Sequence, residues 1–152
     1  MEIATKWQEG LARRGRDTKL GEDLALVLQI HMADTEEEAM AEATPWSQEQ
    51  FKVLAPLGRM PTLTQEQILS TYDGKKALEA GLPTVADRVR DGGWICGPAD
   101  HVYEKICEIQ DRFPGLERIT IHAGALAIPP SAMRRDLEWF GREVLPRFTQ
   151  VK

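Results

Sequence analysis

The strongest constraint on the fold is a nearly continuous apolar run, LALVLQIHM, at residues 24–32. Its length and its Leu, Val and Ile content are typical of a strand buried on both faces, as in a parallel sheet. A second, shorter strand is predicted at 118–123, RITIHA. Two buried strands can form neither a closed barrel nor a self-sufficient sheet, because their edges remain unpaired. The sequence therefore predicts an incomplete α/β sheet.

Helical patterns alternate with these strands. Apolar residues spaced by four positions predict a helix over 2–14, and a capping-box pattern predicts a helix from Thr35 onward. Further helices are predicted over 98–113 and over 129–148. Residues 45–93 are less regular, with short helices expected after Thr64 and Thr84. We predict that this segment is an insertion packed on the main body, so that residues 1–152 form one domain.

Composition excludes several classes of function. The net charge of −5 and the absence of a Lys/Arg run argue against a nucleic-acid partner. The sequence has no apolar run near the ~20 residues that cross a bilayer, and its first residues lack the apolar core of a signal peptide. These features predict a cytoplasmic protein without a membrane partner. Cys96 and Cys107 are predicted to be reduced, since their expected separation of well over ~10 Å is too long for a disulfide.

The stretch GGWICGPADH at 92–101 combines glycines, a cysteine and a histidine. Its spacing matches no phosphate-binding pattern, and Cys96 and His101 have no further residues at metal-ligand spacing. We therefore predict no metal site and a solvated His101. A phosphate could still meet the following helix, but Gly97, Pro98 and Asp100 are typical of an ordinary helix start, which the sequence favours.

Three segments resemble the C-terminal end of bacterial-luciferase-like flavin-dependent monooxygenases. They are VLQIHMADTEEEAM, the run GWICGPADHVYEKICEIQDRFPGLERITIHAG, and LEWFGREVLPRF. The fold of that family is a (β/α)₈ barrel of typically ~250 residues. The resemblance implies that this chain is the C-terminal portion of such a barrel, with about two βα units, strands seven and eight, and an insertion at about 45–93.

The resemblance also implies a chemistry. A complete member of the family uses reduced flavin to activate dioxygen toward a small-molecule substrate; FMN is the implied cofactor, and a deazaflavin is the alternative. Since most of the barrel is absent, we expect no tight flavin binding by this chain alone. The implied partner is a complementary N-terminal chain, or a second copy in a homodimer. The alternative is a non-catalytic truncated protein or a small dimerising interaction module.

Strand alternation yields the candidate site residues. Gln29 and His31 share one face of the first strand, and Thr120 and His122 share one face of the second. If the aliphatic faces meet the outer helices of a barrel, these four side chains and Gly124 line its pocket. His122 is the candidate catalytic residue, because barrel enzymes place their sites at the carboxyl ends of the strands. The alternative is that both histidines are hydrogen-bonded core residues without a chemical role.

Overall fold

The computed structural model describes residues 2–60, 63–122 and 128–149. Within these ranges the chain forms three strands, β1 (Ala25–Met32), β2 (Trp94–Gly97) and β3 (Arg118–His122). The helices are α1 (Glu2–Ala12), α2 (Glu36–Leu54), α3 (Gln65–Ser70), α4 (Gly74–Glu79), α5 (Val85–Arg90), α6 (Ala99–Arg112), α7 (Pro130–Trp139) and α8 (Leu145–Thr149), with a π-helical turn at Phe140–Val144 between the last two. Among the described residues, no helix is long and apolar enough to cross a membrane.

The three strands form one parallel sheet in the order β2-β1-β3. The pairing of β1 with β3 runs from Ala25 opposite Arg118 to Gln29 opposite His122. The two strands expected from the sequence are thus confirmed, and the structure shows that they are neighbours. Strand β2 was not predicted, because its four residues lie among glycines that read as loop. The sheet is not closed, which confirms an α/β chain that fits part of a barrel.

Helices cover both faces of the sheet. On one face, the aliphatic side chains of β1 pack with α6 and the π-helical turn; the buried members are Leu28, Ile30, Met32, Ile95, Ala99, Val102, Ile106 and Val144. On the other face, Trp94 and Cys96 of β2 pack against α2 and α5. Because β2 and β3 lie on opposite sides of β1, two right-handed crossovers must place their helices on opposite faces. A (β/α)₈ barrel has its helices on the outer face only, so α2 and α5 lie on the side of the sheet that would face the interior of a completed barrel.

The segment at 45–93, predicted to be an insertion, is more helical than the sequence indicated. Helix α2 continues through Pro45 to Leu54, and three short helices follow it. Thr64 and Thr84 start α3 and α5 with complete capping boxes, so the predicted helix starts are confirmed. This segment also has a small apolar cluster around Phe51. Cys96 and Cys107 are both free, as predicted.

Part of the sheet is bare. On the face that carries Trp94, the described helices α2, α5 and α7 pack over the second half of β1, whereas Val27 in the first half is 60% exposed. Its neighbours on β3, Thr120 and His122, are exposed as well. The sheet is therefore buried on both faces along the second half of β1 and open on one face beside β3.

Candidate active site

His31 lies one residue before the carboxyl end of β1 and is completely buried. Its Nδ1 lies 2.7 Å from Oδ2 of Asp136, and its Nε2 lies 3.0 Å from Oε2 of Glu42. The edge of the ring meets Trp46, with the two ring centroids 4.7 Å apart. We call these residues, together with Arg135, the His31 cluster. The cluster joins β1 to α2 and α7, at the end of the strand where barrel enzymes place their sites.

Local sequence explains how α2 reaches the cluster. The Thr35 side chain accepts a hydrogen bond from the Glu38 backbone N–H and thereby fixes the start of α2 just after β1. Glu42 and Trp46 are four residues apart and hence on the same side of that helix. The strand end and the short connection together hold both side chains over the His31 ring.

Ion pairs connect the members of the cluster. Asp136 is fully buried, and its Oδ1 accepts the Met32 backbone N–H at 3.3 Å. Arg135 donates through Nη2 to Glu42 Oε2 at 2.7 Å and to the Met32 carbonyl at 3.2 Å. The hydrogen bond from Arg135, assisted by His31, keeps the pKa of Glu42 below its ordinary value, although partial burial acts in the opposite direction. Glu42 in turn raises the pKa of Arg135.

The chemistry open to this arrangement is restricted by burial. Asp136 and Glu42 lie within hydrogen-bond distance of Nδ1 and Nε2, respectively, so the ring is held in one orientation from both sides. A cavity of about 420 Å³ lies beside the cluster, and Arg134, Arg135 and Arg142 contribute to its wall. Since His31 itself has no exposed surface, in this arrangement it stabilises the strand end and cannot touch a substrate.

Replacing Glu42 by Gln tests the electrostatics of the cluster. Because the pKa of Glu42 is lowered on folding, its ionised form stabilises the fold above its ordinary pKa of 4.5, and this contribution disappears as the pH falls through the lower folded value. We expect Glu42→Gln to be less stable than the parent at neutral pH, with a difference that shrinks below pH 4.5. Urea unfolding at several pH values measures it, with Glu104→Gln on an exposed side of α6 as control. A difference that does not vary with pH would contradict the assignment.

The structure separates the residues predicted from the sequence. Gln29 and His31 are buried where α2 and α5 cover the sheet, and Gln29 accepts a hydrogen bond from Arg88 at 3.4 Å. Thr120 and His122 are exposed on the bare part of the same face. His122 pairs in register with Gln29, two positions before His31, so the two histidines are not brought side by side. Gly124 lies outside the described residues. Their roles in a pocket stay predictions.

Sequence reasoning missed the acidic members of the cluster. On the last helix, Asp136 is buried, whereas the neighbouring Leu137 is 51% exposed. Asp136 follows Met133 by three positions and precedes Phe140 by four, and so shares their side of the helix. The Asp136 carboxylate among apolar residues on this side of the helix was the sequence signal that could have indicated a buried polar contact. The prediction of a solvated His101 was also wrong, because its ring is largely buried and lies 3.1 Å from a Glu36 carboxylate oxygen.

Comparison with known proteins identifies the family. The sequence model of the luciferase-like monooxygenases matches residues 2–114, and the chain belongs to that family. The crystal structure of the monooxygenase RslO1 from Streptomyces bottropensis is similar in fold, with a TM-score of 0.54 and 15% sequence identity. The match covers 97% of this chain but only 37% of RslO1. No curated protein matches the sequence.

Members of this family are generally flavin-dependent, and the described residues around His31 decide whether a flavin fits there. In a barrel the cofactor would face the side of the sheet that carries Gln29 and His31. Here that side is filled at the strand ends by Glu42, Trp46 and Asp136, which contact His31 directly. The described residues leave no space for an isoalloxazine ring over His31. In this arrangement the described residues around His31 therefore do not fit the cofactor.

Proposed function

We propose that this chain contributes one part of a luciferase-like flavin-dependent oxidoreductase and that it is inactive until further strands complete the barrel. The observation that carries the proposal is the unclosed three-stranded sheet. It agrees with the comparisons, in which this member of the family covers only 37% of the length of RslO1. The proposed cofactor is FMN, with a deazaflavin as alternative, and the co-substrates are dioxygen and a small organic molecule. The proposed location is the cytoplasm.

In this proposal the chain supplies one wall of the pocket. Thr120, His122 and Gly124 would contribute from the end of β3, and His122 is the candidate for contact with the reacting atoms. Gln29 and His31 could contribute only after α2 and α5, and α7 at His31, leave the face of the sheet that they now cover. Assembly with a complementary chain would therefore exchange these packing contacts for contacts with the added strands. The bare surface around Val27 and β3 is the part of that face already open.

Sedimentation velocity in the presence of FMN tests the proposal. Absorbance is followed for the protein and, separately, for the flavin. We expect the chain alone to sediment without flavin, because the His31 cluster and the two covering helices occupy the cofactor side of the sheet. Flavin that sediments with the isolated chain in equal amount would contradict the proposed inactivity. Addition of a second chain that contains the other βα units of the barrel should produce a larger species that carries flavin.

The second candidate is a non-catalytic, dimerising module. The observation that favours it is the open edge of β3 beside exposed Val27, since strands with unpaired edges tend to pair with another chain. In the same experiment this function predicts a defined dimer without flavin, whether or not the complementary chain is present. A monomer that acquires flavin only with the complementary chain would support the first candidate instead.

A further inference from the structure

A second polar cluster lies under α2 and α5, away from the His31 cluster. Arg88 of α5 donates through Nη1 to the Ser47 hydroxyl and to the Gln50 side-chain carbonyl, both at 3.2 Å. Its Nη2 donates to the Gln29 side-chain carbonyl at 3.4 Å, and its guanidinium lies 4.9 Å from the centre of the Trp94 ring. We call these five residues the Arg88 cluster.

The Arg88 cluster has too few acceptors. Among the described residues, three buried N–H groups have no hydrogen-bond partner although their residues all contact Arg88: Gln29 Nε2, Gln50 Nε2 and Trp94 Nε1. The two amide carbonyls already accept from Arg88, so flipping the amides would only exchange one deficit for another. Buried donors without acceptors are costly, and native proteins rarely leave several of them together.

The cluster also lacks a negative charge. Within the described part of the chain, the contacts of Arg88 are two amides, a hydroxyl and an indole ring, with no carboxylate. Burial accordingly lowers the pKa of Arg88. Its neighbour on the same helix, Arg90, is exposed and pairs with Asp87 at 2.8 Å. A half-buried guanidinium without a counterion, surrounded by unpaired donors, is suited to an anion.

A cavity adjoins this cluster. It measures about 480 Å³, lies between α2 and the start of α5, and is bordered by apolar side chains that include Phe51, Leu82 and Val85. Ser47 belongs to both places, because it lines the cavity and accepts the hydrogen bond from Arg88. The volume is in the range of small-ligand sites, which combine an apolar wall with a few polar groups.

We propose that this cavity binds a small organic monocarboxylate, with its carboxylate at Arg88 and its apolar part against Phe51, Leu82 and Val85. The carboxylate oxygens would accept from the free amide N–H groups and supply the missing negative charge. A neutral acceptor could satisfy the donors but would not offset the guanidinium charge. The proposal does not depend on flavin chemistry, since the site lies on α2, α5 and β2 and uses none of the residues proposed to touch a substrate in a completed barrel, apart from Gln29 at its edge.

Benzoate is the probe, and benzyl alcohol is its neutral counterpart. We expect titration calorimetry with the full chain to show benzoate binding and at least about tenfold weaker binding of benzyl alcohol, because hydrogen bonds to charged groups are the stronger ones. Arg88→Met should weaken benzoate binding at least about tenfold. The matched control, Arg90→Met, removes an exposed arginine two residues away and should leave the affinity unchanged.

Gln50→Glu provides an independent test if Arg88→Met fails to fold. It places a carboxylate beside Arg88 where the Gln50 amide now lies, and so supplies the negative charge that the ligand would bring. It should abolish benzoate binding while raising the unfolding temperature. Equal affinity for benzoate and benzyl alcohol, or equal effects of Arg88→Met and Arg90→Met, would overturn the proposal. Absence of benzoate binding to the parent chain would also overturn it and would assign the unpaired donors to water.

Discussion

Replacement of Asp136 by Ala is expected to destabilise the protein by about 1–3 kcal/mol for each buried group that it leaves without a hydrogen-bond partner. Asp136 is the only described residue that hydrogen-bonds Nδ1 of the fully buried His31, and it also accepts the Met32 backbone N–H. Without its carboxylate, both donors remain buried near the end of the central strand. Urea unfolding at neutral pH measures the loss through the free energy of unfolding.

Two further variants separate the possible causes of this loss. Asp136→Asn keeps the shape and one acceptor, so it should cost clearly less than Asp136→Ala if hydrogen bonding matters most. Glu138→Ala changes an exposed residue of the same helix and should stay within about 0.5 kcal/mol of the parent. If Asp136→Ala is no more destabilising than Glu138→Ala, then the cluster does not hold α7 to the strand.

The elements that could be predicted from the sequence are those whose pattern is local. The apolar run of β1, the alternation in β3 and the caps at Thr64 and Thr84 each specify their structure within a few residues. Strand β2 could not be predicted, because four residues carry no readable period and its burial depends on α2 and α5, which are distant in sequence. The sequence likewise predicts that β1 is buried on both faces along its whole length. In the structure, only its second half is covered on both faces, because the covering helices are distant in sequence.

The candidate site shows the same division. Alternation correctly grouped Gln29 with His31, since a strand leaves only two faces for its side chains. It could not reveal that His31 meets Asp136, because 105 positions separate them and the pairing depends on how α7 returns to the strand end. The shortage of acceptors around Arg88 likewise depends on Ser47 and Gln50 of α2, about 40 positions away in sequence. Both polar clusters are products of tertiary structure.

The two faces of β1 should respond very differently to truncation. Ile30 of β1 is completely buried against α6. Ile30→Ala is expected to cost about 2–5 kcal/mol through lost burial and the cavity left behind. Val27, three residues earlier on the opposite face, is 60% exposed, so Val27→Ala should change stability by no more than about 0.5 kcal/mol. Urea unfolding of the isolated chain measures both.

The same pair of variants tests whether the bare face is used in assembly. If a complementary chain packs on the surface around Val27, then Val27→Ala should weaken that association while leaving the isolated chain intact, whereas Ile30→Ala should act mainly through the fold. The difference arises because a side chain contributes hydrophobic stabilisation only in the state that removes it from water. Unchanged association of Val27→Ala, measured by sedimentation with the complementary chain, would place the contact elsewhere. A large loss of stability of Val27→Ala in the isolated chain would instead show that this face is already covered.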